Sequence, residues 1–98
     1  MEKRLIDEVL PRLARRLRRQ LTRYHSGELD DAGFYQNFED VLKHQYELLA
    51  KRGVKDEEAA IVIHGAIRMA AEDLSRNYNL DLGYTIRRLS TIVAQFSR

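Results

Sequence analysis

Five arginines pose the chemical question in this chain. Arg12, Arg15, Arg16, Arg19 and Arg23 recur at spacings of three and four residues. At about 100° per residue they fall within one sector of a helix roughly 100° wide. Like charges three and four apart oppose helix formation by about 0.2–0.5 kcal/mol per pair. Such an arrangement asks for a compensating partner. Arginine suits that role because its planar guanidinium forms bidentate pairs with carboxylate or phosphate.

Three kinds of partner fit the charge. The chain's own acids are one: Asp30, Asp31, Glu39, Asp40, Glu57 and Glu58 can neutralise the face, or water can solvate it. An acidic protein surface is the second, and the phosphates of a nucleic acid the third. An anionic membrane is disfavoured, because no Trp or Phe stands among the apolar residues of this segment.

Other chemistry is weakly supported. Ser26, Ser75, Ser90 and Ser97 stand outside any nucleophile-elbow context. The five glycines are too scattered to cradle a phosphate. Without cysteine the chain has no disulfide, thiolate zinc site or cysteine nucleophile. Asp40, His44 and Glu47, spaced by four and three, share a helix face and form the best metal candidate. A second ligating helix is usually needed, so a solvated face is the expectation there. His64 sits between Ile61 and Ile67 and reads as a core histidine with a hydrogen-bond partner. Neither an enzyme, nor a cofactor, nor a bound metal is expected.

Composition sets the frame. With 98 residues there is room for one domain, expected to span residues 1–98. Charged residues make up 33 % of the chain, above the usual quarter, while Gly and Pro are few. That combination predicts long helices with solvated faces. The net charge is only +2, yet it is unevenly placed. Up to Ser26, eight basic residues face Glu2, Asp7 and Glu8, and the remainder is net acidic. The start, Met1-Glu2-Lys3-Arg4, leads into Asp7 and Glu8, so no leader is expected. Absence of cysteine fits a reducing cytoplasm.

Four helices must position these groups. Leu10, Ala14, Leu17, Leu21 and Tyr24 step by four and three through a first helix from about Glu2 to Tyr24. Pro11 would put Leu5, Ile6 and Val9 on a separate turn or a kinked extension. Gly27 ends the segment. Asp30 or Asp31 caps a second helix that stops at Lys51-Arg52-Gly53, with Phe34, Phe38, Val41, Leu42, Leu48 and Leu49 inward. A third helix starts at Asp56. From Ala59 to Ala71 it is apolar almost all round, which places it at the centre. Gly65 there permits close helix approach. Asp81 caps a fourth helix to about Phe96, with Leu82, Ile86, Leu89, Ile92, Val93 and Phe96 inward.

The expected fold is all-α: a four-helix, mainly antiparallel bundle with short loops and a central alanine-rich third helix. Three helices in so short a chain leave part of that central helix uncovered. A homodimer is therefore expected, with Ala59, Ala60, Ile63, Gly65 and Ala66 near its two-fold axis. The expected function is non-enzymatic: an interaction or regulatory module docking an acidic partner through the arginine face. The alternative is a nucleic-acid-binding protein contacting phosphates through the same face.

Overall fold

The computed structural model describes residues 3–96. Four helices follow one another: α1 (Lys3–His25), α2 (Asp31–Lys51), α3 (Asp56–Tyr78) and α4 (Gly83–Phe96). No strand occurs among the described residues. The helix ends follow local chemistry. The Asp30 carboxylate accepts the Gly33 amide at 2.7 Å, capping α2. Gly53 takes a φ of +80° just past α2, where a side chain would be strained. Acidic Asp56, Glu57 and Glu58 occupy the first turn of α3, where the helix dipole favours negative charge. The Asp81 side chain accepts the Gly83 amide at 3.0 Å and opens α4. Pro11 lies inside α1, which runs unbroken through it. Leu5, Ile6 and Val9 therefore belong to the same helix as the arginines and not to a separate turn.

One core joins all four helices through Leu17, Phe34, Leu42, Ile63, Ile67, Leu74, Leu89 and Val93. A smaller cluster of Leu5, Leu49, Val54 and Ala59 closes one end. α3 packs against each of the other three helices, most extensively against α1. Gly65 explains how close that contact is. A Cβ placed there would lie 3.3 Å from Leu10 Cδ1, so the absent side chain leaves room for α1.

Helix directions follow from named pairs. Leu10 meets Gly65 and Arg18 meets Asp73, both 55 positions apart, so α1 and α3 run side by side in the same direction. Along α1 and α2 the order is opposite: Glu8 pairs with Arg52, and Tyr24 stacks on Phe34. The most extensive helix contact is thus between parallel neighbours, although short loops suggest sequential antiparallel pairing.

The third helix is central and, within the single chain, partly uncovered: Ile61 is 70 % and Met69 42 % exposed. Two residues read as inward are corrected. Leu48, read as inward, is 42 % exposed, whereas its neighbour Leu49 is 2 % exposed. Phe96 also reaches the surface, where it stacks on Tyr46 at 6.2 Å.

Candidate functional site

The rotation of α1 is set by its apolar stripe. Leu13, Ala14, Leu17 and Leu21 are buried against α2 and α3. The opposite side must then carry the arginines outward. Arg12, Arg15, Arg16 and Arg19 are exposed, and Arg23 is half-buried.

Their partners differ. Arg23 approaches Glu28 at 3.7 Å, Arg18 approaches Asp73 at 3.3 Å, and Arg52 at the end of α2 approaches Glu8 at 3.6 Å. Among the described residues, no carboxylate lies within ion-pair distance of Arg12, Arg15, Arg16 or Arg19. Several acids with the charge to neutralise them are engaged elsewhere. Asp30 caps α2, Asp31 accepts a hydrogen bond from the Tyr24 hydroxyl, and Asp40 accepts one from Gln36 at 3.1 Å.

Arg12 and Arg16 also border a groove of about 420 Å³ between α1 and α2. Its apolar lining is Val9, Leu13, Leu48 and Leu49. Its polar lining adds Glu8, His44, Gln45, Lys51 and Arg52. Four permanent cations thus face one carboxylate, and that carboxylate is already bound to Arg52. Arg15 lies at the other edge of the arginine sector, in a shallow depression with Pro11, Arg18, Met69 and Asp73 against α3. The five sequence-predicted arginines therefore do not form one uniform patch. Arg12 and Arg16 border α2, Arg15 borders α3, and Arg23 is tied to its own loop.

The surface expected to meet a second copy lies elsewhere. Ala59, Ile63 and Ala66 are 1, 1 and 0 % exposed within the single chain, while Ala60 and Gly65 are half-buried. α1 and α2 cover the ground that the expectation left to a partner. Residues of this set that are buried in the folded chain offer no contact to another copy.

Two further candidates remain, and one of them changes character. Asp40, His44 and Glu47 stay exposed along α2, and no cluster of three or more possible ligands gathers among the described residues. His64 is half-buried instead of core. It borders a second groove of about 460 Å³ between α3 and α4, together with Ile67, Arg68, Glu72, Asp81 and Ile86.

The α1–α2 corner is aromatic. Tyr24 stacks on Phe34 at 4.3 Å, and the Arg88 guanidinium sits 4.1 Å from the Tyr35 ring centroid. The hydrogen bond that Tyr24 donates to Asp31 pushes the tyrosine's pKa up to about 12, with burial adding to it. Burial also raises the pKa of Tyr35, with Arg88 opposing that rise. Both shifts favour the neutral hydroxyl in the folded chain.

No helix among the described residues is long and apolar enough to cross a membrane. Neither a family model, nor a curated protein, nor a solved structure matches the chain.

Proposed function

We propose that this protein is a non-enzymatic interaction module of the cytoplasm that docks an acidic protein partner through the outer face of α1. One observation carries the reading. Among the described residues, Arg12, Arg15, Arg16 and Arg19 stand exposed with no carboxylate within ion-pair distance, while Arg18, Arg23 and Arg52 each have one. The described part of the fold supplies counter-charge to some arginines and leaves these four without it. The planar guanidinium fork matches a carboxylate bidentately, and the helix spaces four of them along one face. The cysteine-free composition fits the reducing compartment in this reading.

The test uses poly-glutamate as an acidic protein mimic. Binding should weaken as salt rises and should fall on replacing Arg16 and Arg19 with glutamate. Lysine at both positions should weaken it less than glutamate does, and the remaining loss measures the bidentate contribution. Fold and thermal stability should persist in both variants, because both side chains are exposed. Tighter binding to duplex or single-stranded nucleic acid, with log affinity falling linearly in log salt, would transfer the face to phosphate recognition. Absence of binding to either polyanion at about 50 mM salt, where exposed charges are poorly screened, would overturn the proposal.

A further inference from the structure

The groove between α1 and α2 narrows the kind of acidic partner. We infer that its occupant is an acidic amphipathic helix of another protein. Its apolar stripe would rest on Val9 and Leu48, and its carboxylates on Arg12 and Arg16. The inference rests on the docking function proposed above and adds to it a floor, a length and a partner conformation.

The floor comes first. Leu48 is 42 % exposed although it sits beside fully packed Leu49, and it lines the same groove as half-buried Val9. Apolar surface in such a concave site gains free energy when a partner removes it from water. Phosphates offer nothing to that surface. The charges come second. Arg12 and Arg16 stand on the α1 side, Lys51 and Arg52 at the end of α2 on the other, and Glu8 is held by Arg52. An apolar floor with cations on both sides requires an apolar stripe with acids on both sides.

A helix presents that pattern. Its side chains at i, i+3 and i+4 form one stripe with flanking positions pointing to the same side. An extended strand sends alternate residues to opposite faces, so carboxylates beside its buried residues would point away from the floor. Register agrees as well. Arg12 and Arg16 are four residues apart, about 6 Å along α1, and a partner helix laid beside α1 repeats that rise between glutamates at i and i+4. The groove follows α1 from Glu8 to Arg16, about 12 Å, which accommodates two turns of the incoming helix.

The experiment titrates the full chain with a designed helical peptide carrying a leucine stripe flanked by glutamates, with a scrambled peptide of the same composition as control. Fluorescence anisotropy reads affinity, and circular dichroism reports peptide helicity and folding of each variant. Three results are expected. The scrambled peptide binds about ten-fold more weakly or worse, as loss of a central apolar anchor predicts. Leu48→Gln, which adds no charge, weakens the amphipathic peptide by about five-fold or more. The double variant Arg12→Glu, Arg16→Glu weakens it by about ten-fold or more, and by clearly more than Arg15→Glu, which lies on the same face but outside the groove.

Equal binding of both peptides, with Arg15→Glu as harmful as the double variant and Leu48→Gln silent, overturns the groove while leaving general docking by the α1 face intact. Failure to bind either peptide or poly-glutamate overturns both. Leu48-dependent binding of single-stranded DNA, of phosphatidylglycerol vesicles, or of a second copy of this chain in sedimentation equilibrium assigns a different occupant and also overturns it.

Discussion

Two grooves of nearly equal size run along this bundle, and they differ in charge. The α1–α2 groove, about 420 Å³, carries Arg12, Arg16, Lys51 and Arg52 against a single carboxylate. The α3–α4 groove, about 460 Å³, sets Arg68 and His64 against Glu72 and Asp81 over a floor that includes Ile67, Leu82 and Ile86. Volume and apolar lining are common to both, as expected wherever two helices leave a seam above a shared core. What separates them is the balance of charge. On the α3–α4 side Arg68 shares the lining with two carboxylates, Glu72 and Asp81. On the α1–α2 side Arg12, Arg16, Lys51 and Arg52 share it with Glu8 alone, and among the described residues Arg12 and Arg16 have no acid within ion-pair distance. Concavity marks where a partner can fit, and unanswered charge marks which site calls for one.

The largest effects should fall on both grooves alike, because a fully packed side chain lies beneath each of them. Leu49→Ala beneath the first and Ile67→Ala beneath the second each remove a side chain 2 % exposed. Each should cost about 2–5 kcal/mol in denaturant unfolding. A cost below half a kcal/mol at either site would show that its groove floor is not part of the core.

Next come the charges, where the grooves should diverge. Arg12→Glu with Arg16→Glu should reduce affinity for an acidic helical peptide by about ten-fold or more. Arg68→Glu in the α3–α4 groove should reduce it by less than about two-fold. Equal losses would dissolve the distinction between the two sites.

A smaller effect concerns the start of α2, which holds one wall of the cationic groove. Asp30→Ala removes the cap on Gly33 and should cost about 1 kcal/mol. Asp30→Asn keeps a capping oxygen and should recover most of it.

The smallest effect is confined to alkaline pH. Tyr24 titrates at about 12 in the folded chain, above the usual tyrosine value of about 10. Its neutral form is therefore favoured by folding, so this contribution to stability is present below about pH 10 and lost as pH rises towards 12. Ultraviolet titration should show a late-ionising tyrosine that Tyr24→Phe removes. If the same late step survives in the variant, another tyrosine carries it.

Much of the scaffold was legible because local chemistry decides it. Asp30 followed by an apolar run gives a cap, Gly53 after Lys51-Arg52 gives a stop, and the 59–71 stretch gives the helix that touches all others. The arginine sector was legible for the same reason, since periodicity alone turns those residues away from Leu13 and Leu17. The groove was not. Leu48 and Leu49 are adjacent leucines whose different fates depend on how far α2 is rotated against α1. No spacing within α2 reports that rotation. The pairing of α1 with α3 in the same direction was hidden too, because Gly65 shows that some helix comes close but not which one. The same ambiguity led the small residues of α3 to be assigned to a second copy. Ala59, Ile63 and Ala66 are covered inside the chain, while Ile61, Met69 and Tyr78 of that helix are exposed.

Amide chemical-shift mapping tests the central claim most directly. The isotope-labelled chain would be titrated with the leucine–glutamate helical peptide and shifts followed residue by residue. The largest changes should cluster at Val9, Arg12, Leu13, Arg16, His44 and Leu48, with the segment from His64 to Ser75 and the start of α4 near baseline. Changes centred on His64, Arg68 and Ile86 would contradict the account, because they would show that unanswered charge on α1 does not decide where this protein docks.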